Sequence, residues 1–170
     1  MQELKVAGLK PPAKPAADNS DFAQAAKTTV LGNQTIQAGK SLSIAIPLAI
    51  PAGFKLNPRA SIIYRALGNK GQDVVAGEGL GKRRKAKPAG ESGAIASLAL
   101  TGIPGKATVD VAVSYQVCRD GKGGLCKLMT ARWKIPLTAT SDSKTTSVKL
   151  PASTPPRTRK QKAAAKKTGR

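Results

Sequence analysis

The chain predicts an all-β protein, a two-sheet sandwich of about seven strands. Three observations carry that reading. Apolar and polar residues alternate at period two through most of the region 28–150. Short turns rich in Gly and Pro separate the alternating runs. Helical periodicity is almost absent. At 170 residues the chain has room for one domain of ordinary size plus tails. It divides into 1–27, 28–150 and 151–170.

Residues 1–10 (MQELKVAGLK) predict one short strand, and the Pro/Ala segment after it an extended linker. A lone strand has no partner of its own, so 1–27 is expected to be the end of a preceding domain or a frayed terminus. The β pattern starts near residue 28. Leu42, Ile44, Ile46, Leu48 and Ile50 share one face of a strand, with Pro47 on the opposite parity, which suggests an edge or a bulge. Residues 51–58 predict a turn and corner. Residues 60–67 form the next strand, closed by Gly68-Asn69-Lys70-Gly71. Asp73–Ala76 is a candidate short strand. Gly77–Lys82 resembles a phosphate loop only superficially, because the Gly-Lys-Ser/Thr ending and its spacing are missing.

Lys82, Arg83, Arg84, Lys85 and Lys87 make a basic run, expected in a Gly/Pro-flanked loop as a solvated segment or a polyanion contact. Residues 94–100, 108–117 and 128–137 predict three further strands, and 145–150 a weak last one. The final twenty residues carry seven basic and no acidic side chains and are expected to be disordered.

The formal net charge is +20, from 29 Lys+Arg against 9 Asp+Glu, which predicts attraction to polyanions. Aromatics make up 3% of the chain, so the core must be built mainly from Val, Ile, Leu and Ala. The absence of histidine removes Ser-His-Asp and Cys-His nucleophilic sites in their usual form, together with His-containing metal sites. Two cysteines cannot complete a tetrahedral zinc site, and no cofactor is expected. No apolar run reaches about 18 residues, so no membrane span is expected. The first residues lack the charged and long apolar regions of a signal peptide, which predicts either a cytosolic protein or a start inside a longer chain.

Both cysteines lie in one predicted hairpin. Numbering outward from its centre pairs Cys118 with Cys126, Gln116 with Leu128, Ser114 with Thr130, and Ala112 with Arg132. The other parity carries Val111, Val113, Tyr115 and Val117 against Met129, Ala131, Trp133, Ile135 and Leu137. The cysteines are therefore expected opposite the apolar stripe, unless a bulge shifts the register by one. Directly opposed residues sit close enough for a disulfide at a non-hydrogen-bonded pair. As a staple it closes a nine-residue loop, which the chain-entropy model values at about 2.5 kcal/mol. Arg119, Lys122 and Lys127 surround the pair and favour a thiolate. A structural disulfide, a redox-active pair and two incidental thiols all stand open on these residues.

The run Val113-Ser114-Tyr115-Gln116-x-Cys118, the short loop to Cys126, and Trp133-Lys134-Ile135-Pro136-Leu137 resemble the N-terminal domain of the disulfide interchange protein DsbD. The similarity is closer to the related domain at the C-terminus of thioredoxin/NHL-repeat proteins, whose corner Ile50–Asn57 resembles. Together these pieces cover roughly residues 35–140. The resemblance implies an immunoglobulin-like sandwich in which Cys118 and Cys126 exchange electrons with a thioredoxin-like partner, in the periplasm if the DsbD pattern is followed. Cys126 is followed by Lys127-Leu128 rather than an aromatic-proline continuation, and the shielding cap of the family has no identified counterpart, with 68–92 a candidate place for it. The resemblance also explains residues 1–10 as the last strand of a propeller domain. The expected function is thiol-disulfide exchange or a redox-accessory role. The competing expectation is a non-catalytic sandwich interaction module with a structural disulfide that docks onto a neighbouring domain, with unspecific polyanion or nucleic-acid contact through the basic run and tail.

Overall fold

The computed structural model describes residues 27–39, 41–119 and 124–153. The expected strand and linker over 1–26, loop positions 120–123 and the basic segment from 154 onward lie outside the described residues. Eleven strands are present among them: β1 Thr28–Val30, β2 Gln34–Gln37, β3 Ser41–Pro47, β4 Phe54–Leu56, β5 Ile63–Gly68, β6 Arg83–Lys85, β7 Lys87–Pro88, β8 Gly93–Ala99, β9 Gly105–Arg119, β10 Cys126–Thr140 and β11 Ser147–Lys149. The protein is an all-β sandwich. The count exceeds the seven expected because several strands are edge pieces of two to four residues, too short to alternate visibly.

The larger sheet runs β1-β10-β9-β5-β6, and the smaller runs β11-β3-β8-β7. β1 and β2 lie in sequence along one edge of β10, both parallel to it. β4 and β5 do the same along the far edge of β9, both antiparallel. Between the two sheets lies a single apolar cluster that draws on nearly every strand. No polar or charged residue among those described is buried. Val, Ile, Leu and Ala dominate this core, as the low aromatic content requires.

Alternation forms these strands. On β3, Leu42, Ile44 and Ile46 are buried, and Leu48 continues the stripe. Pro47 interrupts nothing. The Leu48 amide donates toward β8, to Ser92, so the nitrogen of Pro47 faces the β11 side, where pairing has ended at Ala45. Three polar side-chain groups tie the layers together. The Tyr64 hydroxyl of β5 donates to the Ser97 carbonyl of β8. The Tyr115 hydroxyl of β9 donates to the Ala49 carbonyl at 2.8 Å. The indole N–H of Trp133, fully buried on β10, donates to the Pro151 carbonyl at 3.0 Å. Each aromatic thus buries its ring and satisfies its polar tip.

Three local expectations are corrected. Asp73–Ala76 is not a strand: Val75 makes one isolated bridge to Leu100. Val74 and Val75 instead plug the core, and a 3-10 turn, Gly77–Gly79, follows. The corner 51–58 contains β4. The basic run is not a loop. It forms β6 on the edge of the larger sheet and then β7 on the edge of the smaller one, with Ala86 buried at the crossing.

Candidate functional site at the cysteine hairpin

β9 and β10 are fifteen residues each and form the central hairpin of the larger sheet. Their register pairs Cys118 with Cys126, Gln116 with Leu128, Ser114 with Thr130 and Ala112 with Arg132. Val109, Val111, Val113, Tyr115 and Val117 face inward with Met129, Ala131, Trp133, Ile135 and Leu137, all buried. The apolar stripe sets this register: a slip of one residue would put the whole set into water.

Cys118 and Cys126 form a disulfide, with Cα atoms 4.0 Å apart. The Arg119 amide donates to the Leu125 carbonyl at 3.0 Å, so Arg119 and Leu125 are a hydrogen-bonded pair. The cysteines, one step inward, occupy a non-hydrogen-bonded pair, where opposed side chains approach most closely. Outward parity places the bridge on the solvent face of the sheet. Cys118 is half-buried and Cys126 exposed. Leu128, the next outward residue on β10, is 67% exposed.

The Ile50–Asn57 corner braces this end of the hairpin. Gly53 adopts φ 76°, a conformation that favours glycine, and the Phe54 amide closes the turn onto the Pro51 carbonyl at 3.1 Å. β4 then pairs Phe54 with Arg119, Lys55 with Cys118 and Leu56 with Val117. Asn57 locks onto Gln116 twice: its backbone N–H donates to the Gln116 carbonyl at 2.9 Å, and its side-chain amide donates to the Gln116 side-chain carbonyl at 2.8 Å.

Charge surrounds the bridge on both faces. Lys55 shares the outward side with Cys118. On the inward side of this end, the Phe54 ring has the Lys127 ammonium 4.7 Å and the Arg119 guanidinium 5.4 Å from its centroid. Both lie within cation–π range. The same β4 residues line a groove of about 580 Å3 with Ile50, Ile62 and Pro88. Behind the cysteines, burial pushes the Tyr115 phenol up to about 12.

The structure therefore brings the two predicted cysteines together and disperses the predicted basic run. Arg83 and Lys85 pair with Arg65 and Ile63, on the outward face of the larger sheet. Arg84 pairs with Tyr64 on the inward parity and donates to the Glu78 carbonyl at 3.0 Å. Lys87 pairs with Ile95 on the smaller sheet. Lys82 precedes β6 and is exposed. Strand alternation splits what the sequence shows as one cluster.

Phe54 and Lys55 are neighbours of the cysteine hairpin that sequence reasoning missed. The alternation Phe54-Lys55-Leu56 was their one signal, obscured by the prolines on either side. Among the described residues, no group of three or more His, Cys, Asp or Glu could hold a metal ion. No helix among them is long and apolar enough to cross a membrane. No protein-family model matches the chain, and no curated protein matches it.

Proposed function

We propose that this domain carries out thiol-disulfide exchange through Cys118 and Cys126 with a thioredoxin-like partner. The observation that carries the reading is an outward-facing disulfide with an exposed cysteine, set among cations and away from the core. The core gives no reason for a staple there, because the hairpin is already fixed by two long ladder-paired strands over an apolar stripe. The hairpin and corner segments that resemble DsbD-type and NHL-associated domains add support, and an immunoglobulin-like description of the sandwich goes with that resemblance.

The exchange balances as follows. A partner thiolate attacks the sulfur of Cys126, the more exposed member. A partner–Cys126 bond forms, the Cys118–Cys126 bond breaks, and Cys118 leaves as a thiolate on the outward side, where Lys55 is its ladder neighbour. The partner's second thiolate then attacks its own sulfur in the mixed disulfide. Cys126 is released, and the partner is oxidised as the domain takes up two electrons and, at the end, two protons. The reverse sequence oxidises the domain.

A partner whose second cysteine is replaced by serine traps the intermediate. Mixing it with the oxidised domain is expected to give an intermolecular disulfide to Cys126, located by peptide mapping. A bond to Cys118 reverses the order of attack. No covalent complex with any thioredoxin-like dithiol contradicts exchange and leaves the bridge as a structural staple in an interaction module.

A further inference from the structure

The outward faces of the two sheets differ sharply in charge. On the smaller sheet they show mainly Ser43, Ala45, Ser97 and the exposed Ile95, with Lys87 and Lys149 at the edges. On the larger sheet they show Lys55, Arg65, Arg83, Lys85, Arg132 and Lys134. Asp110 is the one acid at an outward strand position of that sheet among the described residues. Solubility alone would not sort the cations onto one layer.

The ladder registers order these cations. Arg132 faces Ala112, Ala112 faces Arg65, and Arg65 faces Arg83. Three arginines thus form one row across four strands, with a single alanine between the first two. Two of the three are held in place: Arg65 Nε donates to the Gly81 carbonyl at 2.9 Å, and Arg132 pairs with Asp110 at 3.6 Å. Ala112, outward by parity, is only 2% exposed with an arginine on either side. Lys134 lies two residues along β10 from Arg132, and Lys85 two residues along β6 from Arg83, on opposite sides of the row.

We propose that this face binds the phosphate backbones of B-form duplex DNA. The outer cation columns, Arg132 and Lys134 on β10 and Arg83 and Lys85 on β6, are three strand spacings apart, roughly 14 Å. Between them, β9 carries Ala112 and Ser114, with Asp110 paired to Arg132, and β5 carries Ile63 and Arg65, so that Arg65 adds a cation at the middle of the strip. That separation suits two phosphate ridges across a major groove about 12 Å wide. Planar guanidinium groups pair with phosphate oxygens in a two-pronged fashion. No aromatic side chain stands outward on this sheet among the described residues, so base stacking, the mark of single-strand binding, is not provided. The binding is backbone-directed and independent of sequence. It does not depend on the redox state of the cysteines.

The test is fluorescence anisotropy of the full chain with a labelled mixed-sequence duplex of about two helical turns, between 50 and 200 mM salt. Neutralising three backbone contacts should make the logarithmic salt slope shallower by about 2.7. Arg83→Gln/Lys85→Gln/Lys134→Gln is expected to show that change, with at least a tenfold loss of affinity at the lowest salt. Lys134→Glu alone, at an exposed position, is expected to weaken binding in the same direction. Lys87→Gln/Lys149→Gln on the other sheet should bind as the parent does. Equal binding by the parent and the triple variant overturns the proposal by placing the contact elsewhere in the chain. Tighter binding of a sulfated polysaccharide or of single-stranded DNA than of the duplex, at equal salt, overturns the choice of ligand. No duplex binding at 50 mM overturns both.

Discussion

Lys55 faces Cys118 across the β4–β9 ladder, on the same outward side as the disulfide. A cation in that place stabilises the thiolate that leaves when the bridge opens. Lys55→Gln should slow alkylation of the reduced domain by iodoacetamide at neutral pH by about threefold, the effect of one unit charge lost some 6 Å away in a solvated setting. The fold should be untouched, because Lys55 is exposed. An unchanged rate would mean that Lys55 does not act on the sulfur.

Removing the bridge should weaken the domain without unfolding it. The closed loop spans a sequence separation of 8, so Cys118→Ser/Cys126→Ser is expected to lose about 2.5 kcal/mol. For a domain of this size, that lowers the melting midpoint by roughly 10 °C. Calorimetry should still show one cooperative transition, since the apolar cluster is complete without the cysteines.

How far the sequence reveals this site depends on length. The β9–β10 register was legible because ten or more residues alternate on each arm around a glycine-rich turn, and the inward set admits one alignment. β4, β6 and β7 were not legible. A strand of two or three residues has no period to read, and its pairing depends on partners distant in sequence, such as Phe54 with Arg119. The arginine row was hidden for the same reason: Arg65, Arg83 and Arg132 become neighbours only once three separate ladders are known. Four adjacent cations, Lys82–Lys85, look like a single patch until strand parity separates them. Residues 73–76 misled through the opposite effect, as Val74 and Val75 are both buried by a chain that crosses the core rather than running along a sheet.

Trp133 is the single tryptophan of the chain and is fully buried. Its fluorescence should be strongly blue-shifted in the native state and red-shift on unfolding. Trp133→Ala should cost about 3–5 kcal/mol in denaturant titration, from a large cavity between the sheets. The Pro151 carbonyl would also lose its indole donor.

Tyr115 makes the fold sensitive to alkali. Its buried phenol is raised to about 12, above the usual 10. Between these values the folded state keeps a proton that the unfolded state has lost. Stability from this group is therefore fully present below pH 10 and falls as pH rises toward 12. The slope should be up to about 1.4 kcal/mol per pH unit, read from urea midpoints. Tyr115→Phe should cost about 1 kcal/mol at neutral pH, for the lost bond to Ala49, and remove that part of the alkaline slope.

The most direct test of the proposed function is the reduction potential of the Cys118–Cys126 pair, measured by thiol titration of the native protein across a glutathione redox series. Exchange with a thioredoxin-like partner predicts a potential above about −300 mV, within reach of such partners. A potential below about −300 mV would contradict exchange and make the bridge a structural one.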